Sequence, residues 1–237
     1  MKNFKALLST MLLFVIITSC TLAQKREFTE KNFPVESFTK VEVEIIGNII
    51  YTQSSKVSVR AEGDKELVDK LLISVNKGVL KLDFEDKQKI KGKKKLTVYI
   101  SSPAIEEIDM DGVGNFNMDG VVTAENLIID FEGVGNFEAK QLQCTNLKAS
   151  YEGVGNLLLG GTTNFLELTS EGVGSIDTQK LKAKNAIVKA EGVGSVKCYA
   201  SESIDLTNSG VGSLTYYGNP TVKGSKNTGV GKIRAGK

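Results

Sequence analysis

A tripeptide, Gly-Val-Gly, returns seven times in this chain and constrains its fold more than any other feature. It stands at Gly112-Val113-Gly114, Gly133-Val134-Gly135, Gly153-Val154-Gly155, Gly172-Val173-Gly174, Gly192-Val193-Gly194, Gly210-Val211-Gly212 and Gly229-Val230-Gly231. The first glycines are 21, 20, 19, 20, 18 and 19 residues apart, and 14 of the 24 glycines lie in these motifs. A fixed period near 20 marks a solenoid, in which each repeat is one coil stacked on the next.

The repeat reads by columns. Four residues after each first glycine stand Phe116, Phe137, Leu157, Ile176, Val196, Leu214 and Ile233. Four residues before stand Ile108, Ile129, Ala149, Leu168, Val188, Leu206 and Ser225. These columns face a core that one coil alone could not bury. The valine of the motif forms a third apolar column and is expected to pack inward. The glycines are expected to turn a corner between strand segments, because glycine adopts positive φ and permits close backbone approach. A phosphate-binding loop is excluded: it needs a following helix, and strand-like sequence follows every motif.

Two polar columns flank the motif. Before it come Asp111, Glu132, Glu152, Glu171 and Glu191, then Ser209 and Thr228. After it come Asn115, Asn136 and Asn156, then Ser175, Ser195 and Ser213, then Lys232. Stacked asparagines can hydrogen-bond from coil to coil. Five like charges about 4.8 Å apart repel. Solvation and lysine partners would relieve this, and so would a divalent cation such as calcium held by Asp111, Glu132, Glu152, Glu171 and Glu191. No other cofactor is implied.

The rest of the chain is less regular. Residues 24–37 are polar and read as a leader. From Phe38 apolar and polar residues alternate: Val41, Val43, Ile45, then Ile49-Ile50-Tyr51 after a break at Gly47, then Val57, Val59 and Ala61. That is the period of half-buried strands, and it resembles one degenerate turn of the later repeat. Leu67–Leu72 reads as a short helical piece. Leu72–Val75 and Val79–Phe84 read as a hairpin joined through Lys77-Gly78. Residues 85–95 carry six lysines with no aromatic interleaved, and read as a solvated loop. Residues 215–228 place Lys223, Ser225 and Asn227 where earlier coils are apolar, which suits a terminal cap. Residues 233–237 are either part of that cap or a frayed tail. The solenoid domain spans 38–237, with irregular N-terminal coils over 38–104 and Gly-Val-Gly coils over 105–237.

Residues 1–23 have the parts of an export signal: Lys2 and Lys5, the apolar run Ala6–Ile17, and a processing site. Cleavage after Thr21-Leu22-Ala23 would release a soluble protein. Ile17-Thr18-Ser19-Cys20 looks like a lipobox, in which Cys20 is lipidated. Both remain open. Export places the protein in the periplasm, outer membrane or cell surface. The chain carries 30 basic and 28 acidic residues, and loss of Lys2 and Lys5 leaves it neutral. A neutral chain has no long-range pull toward nucleic acid. Cys144 and Cys198 lie three coils apart, about 14 Å and too far for a disulfide. Both are expected to be reduced and at least partly buried.

There is no histidine and no tryptophan, so Ser-His-Asp and Cys-His chemistry is excluded, as are the commonest metal sites. The acids form a repeating column and not a unique pair in a cleft. The expectation is a protein without catalytic activity. A polysaccharide lyase-like β-helix enzyme is the alternative, weakened by the presence of only three arginines (Arg26, Arg60, Arg234).

The exported N-terminus, the Val41–Ala61 opening with its Gly47-Asn48 break, the Leu80-Lys81-Leu82 strand and the Gly-Val-Gly-Asn/Ser coils carry a family resemblance. Over about residues 36–220 the chain resembles the autotransporter adhesin head GIN domain family, a domain of unknown function common in Bacteroidetes-type bacteria. The resemblance implies an all-β, right-handed β-helix-like solenoid and an adhesin-like role. It carries over no catalytic or binding residues. The expected function is an exported cell-envelope binding or adhesion module with an envelope, glycan or protein ligand, touching membrane only through a lipid anchor. A structural envelope protein holding cations on its acidic column is a further alternative.

Overall fold

The fold was obtained as a computed structural model that describes residues 27–85 and 94–237. The export signal with Cys20, and most of the lysine-rich run, lie outside the described residues.

The chain begins with β1 (Phe28–Phe33), β2 (Lys40–Val43), β3 (Asn48–Gln53) and β4 (Ser58–Asp64). A helical turn, α1 (Lys65–Lys70), leads into β5 (Leu71–Asn76), β6 (Val79–Phe84), β7 (Leu96–Ser102) and β8 (Glu107–Met110). Long bent strands follow, each making most of one coil: β9 (Phe116–Phe131), β10 (Val134–Tyr151), β11 (Val154–Ser170), β12 (Val173–Ala190) and β13 (Val193–Asn208). The chain closes with β14 (Leu214–Tyr217), β15 (Thr221–Asn227) and β16 (Ile233–Ala235). This is the all-β solenoid that the period of 20 requires.

Successive coils pair in parallel and in register. Phe137 lies opposite Phe116 on one side and Leu157 on the other, and Leu157 opposite Ile176. The ladders joining β9 to β10, β10 to β11 and β11 to β12 each slip once, as between Ala139 and Leu142, where the coil turns its second corner, and the β12–β13 ladder slips twice. In-register stacking puts like side chains on like. Phe116 and Phe137 stack with centroids 5.0 Å apart, Phe131 and Tyr151 with 5.1 Å, and Phe131 meets Phe137 edge-on at 6.5 Å. All four rings are fully buried, so the aromatic residues anchor the coils of β9 and β10. Cys144 and Cys198 are free and buried, as the spacing predicts.

The N-terminal region departs from the sequence reading in its connections. β2 pairs with β8 and β3 with β9, both parallel, so these two strands do form a degenerate first coil. Its corner is Ile45-Ile46-Gly47-Asn48, with Ile46 bridged to Val113. The segment between β3 and β8 closes this end of the solenoid. β6 and β7 continue the parallel stack on β2 and β3. Outside them β5 and β4 run antiparallel. Val59 and Ala61 therefore belong to an antiparallel capping strand, β4, and not to a coil. The polar leader expected over 24–37 contains β1, which pairs antiparallel with β4. The turn from β5 to β6 uses left-handed backbone at Lys77 (φ 50°) and Gly78 (φ 79°), as a two-residue hairpin needs.

At the other end β15 lies on β13 and β16 on β14. Residues 233–235 are thus a paired strand, not a frayed tail. Asn227 stands in a column that is apolar at Met110, Phe131, Tyr151 and Ala190 but already polar at Ser170 and Asn208. Its amide accepts from Asn208 at 2.8 Å and donates to the Gly231 carbonyl at 3.0 Å. The last coil closes the stack with polar groups.

Candidate functional site

The distinctive surface of the molecule is the corner made by the Gly-Val-Gly motifs. Its geometry follows from strand alternation carried through the turn. Counting from the first glycine, even offsets point inward: Phe131 and Tyr151 two before their motifs, Phe137 and Leu157 four after. Both glycines fall on this inward set, where the coil is too tight for any side chain. A β-carbon on Gly174 (φ 155°) would lie 1.6 Å from the Gly155 carbonyl oxygen, and one on Gly172 2.0 Å from that of Gly153. The motif needs glycine twice because the backbone of the previous coil occupies the space.

The same counting places the valine outward, and this overturns the expectation that it packs inward. Val113, Val134, Val154, Val173, Val193 and Val211 are 47–52% exposed and Val230 is 71% exposed. With Ile46 at 43%, they form a continuous apolar edge along the solenoid. Val113 bridges Ile46 and Val134, and Val211 bridges Val193 and Val230. Adjacent coils therefore present adjacent side chains. Apolar identity alone suggested burial; the odd offset of this position decides against it.

On one side of the edge stand Asp111, Glu132, Glu152, Glu171 and Glu191, all exposed. None of the five forms an ion pair among the described residues. Two further acids, Asp109 and Asp130, lie opposite each other on β8 and β9, on the outward set two residues before the acidic column. Partial desolvation, reinforced by Asp130, Glu132, Glu42 and Glu107, pushes the Asp109 carboxyl above the usual range. Glu132 is pushed up by desolvation and by Glu152, Asp130 and Asp111. One Asp130 carboxylate oxygen, Oδ1, is buried without a hydrogen-bond partner. Among the described residues no group of three or more acids, cysteines or histidines is placed to hold a metal ion.

On the other side the asparagine column forms the expected ladder. Asn136 donates to Asn115 Oδ1 at 2.8 Å and Asn156 to Asn136 Oδ1 at 2.9 Å. The column starts earlier than the sequence suggested: Asn48 of the degenerate corner accepts from Asn115 at 3.2 Å. Ser175 continues it by donating its backbone N–H to Asn156 Oδ1 at 3.3 Å. A shallow groove of about 500 Å³ runs beside this ladder, lined by Asn136, Asn156, Ser175, Glu138, Leu158 and Asp177 among others.

The corner presents carboxylate, apolar and amide groups side by side to solvent. The two free thiols are held protonated by burial, Cys144 pushed up to about 11 and Cys198 to about 12, so neither supplies a thiolate nucleophile near neutral pH. The carboxylates line an open corner rather than facing each other across a cleft.

Comparison with known proteins agrees with this geometry. The family described as "Putative auto-transporter adhesin, head GIN domain" matches residues 37–220. A crystal structure of a putative adhesin from Bacteroides fragilis NCTC 9343 is similar at 34% identity and TM-score 0.86, covering 88% of this chain and 97% of that one. A putative lipid binding protein from Parabacteroides distasonis ATCC 8503 shares the fold at 22% identity and TM-score 0.63, covering 89% and 97%. A putative adhesin from the same organism does so at 17% identity and TM-score 0.63, covering 90% and 98%. No curated protein matches the chain. Its repeat, its corner and its match over most of its length place the chain in the auto-transporter adhesin head GIN domain family.

Proposed function

We propose that this protein is an exported binding or adhesion module of the cell envelope that acts by presenting surface and carries out no reaction. The observation that carries this reading is the corner. An apolar edge stands between a column of carboxylates without ion pairs and a hydrogen-bonded amide ladder, repeated on a scaffold whose backbone is hydrogen-bonded from coil to coil. A surface built by repetition suits an extended ligand, whereas catalysis asks for unique groups converging on one point. The family's adhesin description and the adhesin-named structural relatives support the same reading.

The test is binding of the purified mature protein to immobilised glycans, matrix proteins and envelope fractions. Saturable binding to one class is expected, and a screen with no signal above background sinks the proposal. Anchoring is tested separately. If Cys20 is lipidated, Cys20→Ala moves the protein from the detergent phase to the aqueous phase; a variant that still enters detergent rules out lipidation.

A further inference from the structure

The apolar edge is larger than ordinary surface chemistry requires. Eight side chains from Ile46 to Val230 run for about 34 Å at about 4.8 Å per coil. At the exposures given above they offer on the order of 500 Å² of contiguous apolar area, at the top of what a monomer normally shows to water. The two glycine columns beside them carry no side chains, so the valines stand proud and can be straddled. One flank is acidic over the coils from Asp111 to Glu191, and these carboxylates have no cationic partner among the described residues. Over the same coils the other flank, Asn115 to Ser195, is neutral amide and hydroxyl. An occupant must therefore be apolar along its centre and cationic along one side. Anionic lipid fails the charge criterion.

The spacing selects the shape of the occupant. A helix that presents an apolar seam does so about every 5.2 Å along its axis. An extended strand presents same-face side chains about every 6.7 Å. Over the five acid-bearing coils the helix drifts about 2 Å from the valines, and the strand about 8 Å. The backbone at the corner is already bonded between coils, so it offers no ladder for strand addition.

We propose that this edge docks an amphipathic helix of a partner protein whose apolar seam is flanked on one side by Lys and Arg. The seam straddles Val113 to Val193, and the cations neutralise the column from Asp111 to Glu191. This rests on the binding-module reading and gives it a ligand class and a site.

The experiment uses the purified protein and three labelled 21-residue helical peptides, each at concentrations where it is monomeric. One has a leucine seam with a lysine flank, one a leucine seam with a glutamate flank, and one a serine seam with the lysine flank. Binding is followed by fluorescence anisotropy at low and moderate salt. The leucine–lysine peptide is expected to bind, more weakly as salt rises, and the other two at least ten-fold more weakly. Val134→Thr/Val154→Thr/Val173→Thr/Val193→Thr is expected to weaken it ten-fold or more. Glu132→Gln/Glu152→Gln/Glu171→Gln is expected to weaken it and reduce the salt dependence. Melting curves matching the parent confirm that both variants fold. No binding, equal binding of the glutamate peptide, or undiminished binding to the valine variant overturns the proposal. If the peptides fail while the protein still binds in the glycan and envelope screen, the helix is wrong and the module stands.

Discussion

The carbonyl oxygen of Gly135 lies 1.8 Å from the point where a β-carbon on Gly155 would stand. No rotamer relieves such a contact, because both partners are backbone. Gly155 also has φ 140°, outside the range that side-chain-bearing residues adopt readily. Gly155→Ala is expected to cost about 2–6 kcal/mol through strain and overpacking together. Gly120 is the internal control: φ is 78°, but nothing lies within 4 Å of its missing β-carbon. Gly120→Ala should cost only about 1–2 kcal/mol. Denaturant unfolding of the two variants separates crowding from backbone conformation.

The outward placement of the valines gives a second expectation. Val173→Thr should change stability by no more than about 0.5 kcal/mol, as for other surface substitutions. Ile176→Ala, three residues on and buried, should cost about 2–5 kcal/mol. If the two changes cost the same, the valine is not on the surface.

The acids near the first coils make a pH-dependent prediction. The Asp109 carboxyl is raised in the folded protein, so around its titration the native state binds more protons than the unfolded state. Its charge therefore opposes folding at neutral pH, and that opposition fades as pH falls through the folded pKa. Asp109→Asn should raise the melting temperature at pH 7. The gain should vanish below about pH 4, where the unfolded carboxyl is also protonated. The comparison must be a difference from the parent. Glu62 behaves oppositely, held low by the Tyr99 hydroxyl and by Arg60, and its contribution is lost as pH falls.

Calcium gives a fourth test. If the ion bridges neighbouring carboxylates between Asp111 and Glu191, it stabilises the folded state by mass action. Melting should then rise in calcium and fall back in chelator. Identical melting in both removes that alternative, and Glu152→Gln/Glu171→Gln should abolish any rise that is seen.

The terminal coil gives a fifth. β15 covers β13 with polar residues, and beneath it Ile204 and Leu206 are fully buried. Truncation after Gly218 would expose these side chains together with an unpaired strand edge. The shortened protein should elute as dimers or larger species in size-exclusion chromatography with light scattering, while the full chain stays smaller.

What could be read from the sequence follows from what repeats. The column at Phe137 is legible because all seven coils state the same pattern, the column at Ile129 because six do, and the corner glycines because they recur in all seven. Val113 to Val230 read as inward on hydrophobicity alone, whereas offset parity across the motif puts them outside. Ile45-Ile46-Gly47-Asn48 is only half legible, since its first glycine is replaced by Ile45 and only Gly47-Asn48 matches. β1 left no signal. Its residues Phe28–Phe33 are exposed or half-exposed and its partners in β4 are about 30 residues away, so nothing periodic marks the pairing. Asp109 and Asp130 carry no periodic signal, because only two coils have an acid there.

The flanking columns change along the axis even though the scaffold does not. Amides at Asn48, Asn115, Asn136 and Asn156 give way to hydroxyls at Ser175, Ser195 and Ser213, and carboxylates end at Glu191, with Ser209 and Thr228 beyond. In a uniform stack of coils every position along the edge would look alike. This edge has a sense: a ligand laid along it meets carboxylate and amide at one end and hydroxyls with the Lys232 ammonium at the other, so reversing the ligand costs it its ionic partners. Polarity of that kind lets a repetitive surface fix direction as well as position.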